Sequence, residues 1–427
     1  MNLCRSFYLH KTSRNRHIFN ELARLSEHGA RLYNQMVFYW RQWRAFYGYT
    51  PSAFDFMYML RNAEPPYDHY AQFQAAVSSK ACNYSIQMFH GSFASYDKSI
   101  KRYYKDKSGY TGMPKPPSWC TKARYYFASG GVVIKDRMMY LAKRKHPELC
   151  IPIPKDQWEE AFLKNGKLKQ ARFYYLTKKT MKVEMIYEQE ATEAEGTGVL
   201  GIDLGVNNFA TLVSNRCPPV ILNGKPIKAI NQYYNKRRAK IVSKLKKAND
   251  QDDSFHMRAI TLKRRTQLHT IMHKYSTYII SLCREHGIIE VIMGRNQGWK
   301  QNIEMGARGN QRFVGIPFFK FQAMLKYKCE LNGIAYSEVE ESYTSKTDHL
   351  AREPLYSKNG KESKPEAYQF LGQRVHRGLF QSSTGVLINA DVNGAIGIIR
   401  KVKGDDIVQE MVDIFNPRKV TLNDLDR

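Results

Sequence analysis

GVLGIDLGVNNFATLVS, residues 198–214, holds an unbroken apolar run that ends in one carboxylate, Asp203, and turns back through two asparagines. An apolar run without polar alternation is a strand covered on both faces, the α/β kind. Asn207 and Asn208 supply the turn, so FATLVS pairs back as a hairpin. Gly201 and Gly205 flank Asp203 and let a backbone or a phosphate come close to it.

Further along, residues 219–222 form a third strand, and residues 230–286 a pair of very basic antiparallel helices around NDQDDS. IIEVIMG is a fourth strand, VGIPFFKFQAMLKYKCELNG a helix, and IAYSEVEE a fifth strand ending in Glu340 and Glu341. Residues 342–385 are loop-like and basic, and INADVNGAIGIIRKV is a helix that opens with Asp391, where the helix dipole favours a carboxylate. A three-stranded meander followed by helix, strand, helix, strand and helix is the order of a ribonuclease H-like domain. Carboxylates from separate elements, Asp203 and Asp391, suit a magnesium pair about 3.5–4 Å apart that activates water and stabilises a leaving oxygen.

Toward the amino end, residues 5–12 read as a strand and Asn15 to Lys105 as helical. Trp40, Arg41, Trp43 and Arg44 interleave aromatic and basic side chains, the mixture that stacks on bases and binds phosphates. GYTGMPKPPSW breaks the helices, and the β-branched and aromatic runs beyond it form a small antiparallel sheet or barrel studded by Lys178, Lys179 and Lys182. ATEAEGTG then reads as a linker.

The chain has 427 residues with 67 Lys+Arg against 39 Asp+Glu, a net charge of +28, and 43% hydrophobic residues. That content supplies real cores, and the positive surplus calls for a polyanion, nucleic acid being the usual one. The seven cysteines are scattered without a CxxC, which excludes a cysteine zinc finger and argues against a disulfide framework. No apolar run reaches the roughly 18 residues of a spanning helix, and the amino end lacks the apolar stretch of a signal peptide. A cytoplasmic protein with no membrane partner is expected.

The paired motifs GIDLGVNN and INADVNGA, with GMPKPPSW before them and GRNQGWKQN, ESYTSK and HRGLFQSSTG between them in chain order, carry a resemblance. The chain resembles the transposon-encoded TnpB (OrfB) proteins, RNA-guided DNA endonucleases related to compact type V CRISPR effectors. The resemblance implies an α+β multidomain protein whose first strand (1–14) belongs to a β-barrel-like wedge domain. A helical recognition domain (15–108), the rest of the wedge (109–190) and a linker (191–197) follow. A ribonuclease H-like (RuvC) nuclease domain then comes in two parts (198–341 and 386–427), around a target-nucleic-acid-binding loop (342–385).

It further implies guide RNA and double-stranded target DNA as partners, and catalytic Asp203 and Asp391 with two magnesium or manganese ions. Arg377 resembles the Arg that relatives carry near the scissile strand. Phosphates and bases would be bound by Lys236, Arg237, Arg238, Trp299, Lys300 and Lys346.

The chain departs from relatives twice. YTSKTDHLAREPL lacks the cysteine pairs of their zinc finger, so no zinc is expected and the loop must be held by packing or by nucleic acid. Gly294 stands where relatives place a catalytic Glu. Glu290 lies roughly 13 Å back along the strand at about 3.3 Å per residue, too far to substitute. Glu341, with Glu340 as the alternate on the opposite side, ends the fifth strand at the catalytic edge and is the expected replacement. The other readings are a nuclease-dead guide-dependent roadblock and, more distantly, a transposase using Glu304.

Overall fold

Apolar residues at helical spacing, then β-branched and aromatic runs, make the first part of the chain helical and then sheet-forming. The computed structural model describes residues 2–107, 110, 112–120, 126–129, 132–142, 146–162, 166–249, 254–295, 315–357, 364–376 and 378–425. The chain divides into two units, Met1–Glu190 and Ala191–Arg427.

In the first unit, β1 (Asn2–His10) precedes α1 (Arg16–Tyr47), α2 (Ala53–Arg61), α3 (His69–Ala76) and α4 (Ser79–Lys105). The strands β2 (Tyr126–Ser129), β3 (Val133–Lys135), β4 (Met138–Ala142) and β5 (His146–Pro152) lead to α5 (Lys155–Phe162), β6 (Lys167–Thr177) and β7 (Thr180–Glu188). Helix starts follow capping chemistry: Ser52 and Asp55 form a reciprocal capping box on α2, and the Ser78 hydroxyl caps α4. α1 stops at Gly48, whose φ of 74° closes the helix without a Cβ penalty. β1 runs antiparallel to β7, from Asn2 opposite Glu188 to His10 opposite Thr180. The first strand thus joins a four-stranded sheet, order β1-β7-β6-β2, and β3-β4-β5 form a second sheet. The sequence reading had not anticipated α5.

The second unit carries β8 (Gly198–Leu204), β9 (Asn208–Ser214), β10 (Val220–Asn223), α6 (Lys225–Asn249), α7 (Phe255–Glu285), β11 (Ile288–Arg295) and α8 (Phe318–Leu331). β12 (Ala335–Glu340), β13 (Gln373–His376), β14 (Leu379–Gln381), β15 (Leu387–Asn389), α9 (Ala390–Lys403) and β16 (Arg418–Val420) complete it. Six strands form one sheet, order β12-β11-β8-β9-β10-β16, with β8 parallel to β11 and antiparallel to β9. Strand alternation sends Leu200, Ile202 and Leu204 into a core with α7 and α8, where Phe209 packs on Tyr275, Phe318 and Phe321. Val199 faces the other way, into a core built on Val392, Ala395, Ile396, Ile398 and Ile399 of α9. Both faces of β8 are therefore covered, which is why its sequence shows no polar alternation.

Two expectations need correction. Residues 386–427, read as a last part of the domain and a tail, carry a strand beyond the helix, since β16 adds to the sheet parallel to β10, with Val420 fully buried. The segment 342–385 is not all loop, because β13 and β14 pair as a hairpin that β15 extends.

Hydrogen bonds hold the described part of that segment against α9. Arg400, 1% exposed, donates to His349 Nδ1 at 2.8 Å, to the Glu353 carbonyl at 3.0 Å and to Asp405 Oδ1 at 2.6 Å. His349 Nε2 in turn donates to the Thr344 carbonyl at 2.8 Å, which fixes the neutral tautomer. The buried Glu353 carboxylate accepts from the Asp348 and Leu371 amides and from the Tyr368 hydroxyl. Asp348 accepts from Ser382, Ser383 and Ala351; burial would raise its pKa, yet these bonds hold it below the ordinary value. Lys401 Nζ reaches the carbonyls of Glu340, Ser342 and Tyr356, joining the end of β12 to the loop.

Burial, then the Arg400 charge, lower the His349 pKa to about 3. A histidine depressed in the fold favours the native state above its unfolded pKa near 6.5 and withdraws that support as pH falls toward 3. The urea midpoint should therefore drop on acidification below about pH 6.5, with His349 contributing up to about 1.4 kcal/mol per pH unit. His349→Gln, which keeps an acceptor and a donor, should show a shallower pH dependence; an unchanged slope would contradict the network as described.

Candidate active site

Asp203 leaves the sheet on the α9 side, the direction shared by Val199 and Gly201 on β8. The helix can lie directly on that strand because residue 201 has no side chain: a Cβ there would come within 2.8 Å of the Ala395 carbonyl. At the residue before Ala395, a Cβ on Gly394 would stand 3.1 Å from Asp203 Oδ2, so this glycine leaves the carboxylate its place against α9. Asn389 caps α9 by accepting from the Asp391 amide at 3.0 Å and the Val392 amide at 3.3 Å. Asp391 is thereby fixed in the first turn, and Asn208, at the start of β9, donates to its Oδ2 at 2.6 Å.

The register places the third carboxylate. Met293 of β11 lies opposite Ile202 of β8, so Gly294 follows beside Asp203, and Gly294 itself lies opposite Val339 of β12. Glu341 begins just past the end of β12, two strands from Asp203, or on the order of 10 Å at about 4.8 Å per strand. Its side chain reaches the middle strand, β11. A Cβ built on Gly294 would fall on Glu341 Oε2, so the Glu341 carboxylate occupies the place of the side chain that Gly294 lacks. Glu340 turns away and pairs with Lys401 Nζ at 3.3 Å. Glu290 pairs with Lys403 at the far end of α9 from Asp391.

Negative charge concentrates here. Burial first, then the Glu341 and Asp391 carboxylates, push the pKa of Asp203 well above the usual carboxylate range, with Arg374 acting in the opposite sense. Three carboxylates are hard oxygen donors of the kind that hold magnesium. In the arrangement found, no three His, Cys, Asp or Glu side chains among the described residues close on a single point that could hold a metal ion. Carboxylates that approach without closing leave coordination positions to phosphate oxygens, as magnesium sites in phosphoryl chemistry do.

Four of the residues near this edge escaped the sequence reading: Asn208 as a partner of Asp391, Gly394 as the seat of Asp203, Lys401 as the partner of Glu340, and Arg374. Arg374 lies on β13, three positions before Arg377, and its charge reaches Asp203. Arg377 itself, with Trp299, Lys300 and Glu304, lies outside the described residues.

The expected nucleic-acid contacts divide. Trp40 must be withdrawn as a stacking platform: it is 4% exposed, packs on Phe93 and Tyr96, and donates through Nε1 to Thr50 at 2.8 Å. Arg44 is half-buried, paired with Asp97 and stacked over Trp40 and Tyr96. Trp43 is half-buried against Tyr47 and Tyr49. Arg41 is exposed and lies 5.4 Å over the ring of Trp119, itself 45% exposed. Lys178 and Lys179 are exposed at the β6–β7 turn, while Lys182 is half-buried with Glu184 at 2.5 Å. Lys236, Arg237 and Arg238 on α6 and Lys346 in the loop are exposed.

Known proteins match the same stretches. Residues 180–300 match the family model of OrfB from IS605, described as "Probable transposase", and residues 318–398 match "Cas12f1-like, TNB domain". The resemblance to the TnpB (OrfB) family holds. No curated protein matches the TnpB-like chain in sequence. Among solved structures, Cas12f1 in a complex with sgRNA and target DNA is 13% identical over 88% of this chain and 81% of that one, with a TM-score of 0.53. CasPhi-2 (Cas12j) bound to crRNA is 10% identical over 94% and 98% of the two chains, with a TM-score of 0.42. The first likeness shows a mixed α/β multidomain fold shared with Cas12f1. Among the described residues, no helix is long and apolar enough to cross a membrane.

A carboxylate whose pKa is raised in the fold costs stability as pH rises above its unfolded value near 3.9. In EDTA at neutral pH, Asp203→Asn should therefore raise the melting midpoint, on the order of 3 °C. A midpoint unchanged or lowered would contradict the crowding of negative charge around Asp203.

Proposed function

We propose that this protein is an RNA-guided DNA endonuclease whose RuvC-like domain hydrolyses target DNA with Asp203, Glu341 and Asp391. The observation that carries the proposal is the reach of Glu341 to the side-chain position of Gly294, beside Asp203. It restores a third carboxylate to an edge where the sequence had removed one.

In this reading residues 198–341 and 386–427 are the two parts of the nuclease domain, and 342–385 the insertion that meets target nucleic acid. Residues 15–108 are the recognition domain, and 1–14 with 109–190 the wedge. Each of Asp203, Glu341 and Asp391 would hold one or both of two magnesium ions, which when bound supply an activated water and stabilise the leaving oxygen. Asn208 holds the Asp391 carboxylate in one orientation, and Asn389 fixes the backbone beneath it. Lys401 keeps Glu340 out of the site, so the strand end presents Glu341 alone. Arg374 offsets part of the negative charge from the hairpin side. Guide pairing would select the target, while exposed cations such as Arg41, Lys178, Lys179 and those of α6 hold phosphates.

Cleavage of a matching plasmid by the protein loaded with its copurifying RNA, in magnesium, tests this directly. Asp203→Asn and Asp391→Asn should each reduce cutting by at least about 100-fold while leaving guide-dependent DNA binding in place. Tight guide-dependent binding by the parent with no cutting in magnesium or manganese would overturn the nuclease reading in favour of a roadblock.

A further inference from the structure

Resting on that reading, we infer that Gly294 and Glu341 form one interlocked position, in which glycine is obligatory because the carboxylate from the next strand fills its side-chain volume. β11 brings Gly294 alongside Asp203, on the face that meets α9. A side chain rooted there would point at the same space as the Asp203 carboxylate. Glu341 reaches this space from the strand end on the far side of β11, and its Oε2 is buried on arrival. A Cβ on Gly294 would also come within 2.6 Å of Ile398 Cδ1, so the walls of the position are the helix on one side and Glu341 on the other. One carboxylate fits there, supplied from either strand.

Gly294 is thus a positioning residue for Glu341. Both atoms that a new Cβ would strike are the far ends of flexible side chains, Glu341 Oε2 and Ile398 Cδ1. Gly294→Ala therefore leaves the fold intact and displaces the carboxylate. A shift of about 1 Å at a reacting centre costs on the order of 100-fold in rate. Conversely, Gly294→Glu combined with Glu341→Ala moves the root of the carboxylate by one strand and keeps its head in the same place.

The experiment compares the parent, Gly294→Ala, Glu341→Ala and the double variant Gly294→Glu/Glu341→Ala, each loaded with guide RNA. Two readouts are taken: cleavage of target DNA, and the rise in melting midpoint on adding magnesium without DNA. The inference expects both to be strong in the parent, cleavage lower by about 100-fold in each single variant with most of the magnesium response gone, and at least tenfold recovery of cleavage in the double variant. Gly294→Ala behaving like the parent in both readouts overturns it. So does a double variant that folds, by its melting midpoint in EDTA, yet recovers neither readout. If the magnesium response follows the expected order but the parent never cuts, the interlocked position stands and the endonuclease reading falls.

Discussion

The close approach of α9 to the central strand is the contact on which the candidate site depends. Side chains ordinarily fill the space between a helix and the sheet it packs on. Here glycines thin that layer at the points where polar groups must enter it. Gly201 admits the helix backbone, Gly394 admits Asp203, Gly294 admits Glu341, and Gly397 admits the His349 ring. Gly294, Gly394 and Gly397 so replace apolar packing by polar groups that burial makes costly. The cost is offset by the cores on both faces of the sheet, whose Leu, Ile and Phe side chains are fully buried.

The polar groups so admitted fall into two sets with opposite electrostatics. Around His349 the charged groups meet partners of the right kind: Arg400 has a carboxylate, a carbonyl and a neutral imidazole, and Glu353 has amides and a hydroxyl. That set is a scaffold of matched donors and acceptors. Around Asp203, burial and the neighbouring Glu341 and Asp391 carboxylates raise its pKa. Such an arrangement is expensive in the free protein and is the kind kept for binding or catalysis. The scaffold and the acidic edge share one helix: Asp391 stands at its start, Arg400 and Lys401 near its end.

Much of this was legible in the sequence. The apolar run to Asp203, the NN turn, the terminal carboxylates of IAYSEVEE and the helix opening at Asp391 follow from local patterns, and each is found where expected. That the Glu341 side chain can reach the side-chain position of Gly294 was also readable, since strand spacing and side-chain reach allow it. The reasons why Glu341 rather than Glu340 turns inward were not. They lie in Lys401, 61 positions after Glu340, whose ammonium takes Glu340. Likewise, YTSKTDHLAREPL gives no hint of its own support, because Arg400 meets His349 only through tertiary packing. Trp40 illustrates the opposite failure: a Trp beside an Arg reads equally as a stacking surface or as core, and only the packing of Phe93 and Tyr96 decides for core. β16 is three residues long and too short for any periodicity to betray it.

The central claim is that Asp203, Glu341 and Asp391 form one ion-binding edge despite the break in the fourth-strand motif. The most direct measurement is the anomalous scattering of manganese in crystals of the protein soaked with that ion and bound to guide and target. The account predicts density for manganese between Asp203 and Asp391, with Glu341 Oε2 as a further ligand above Gly294. Manganese held by Glu340 or Glu290 instead, or absent from this edge while the DNA is in place, would contradict it.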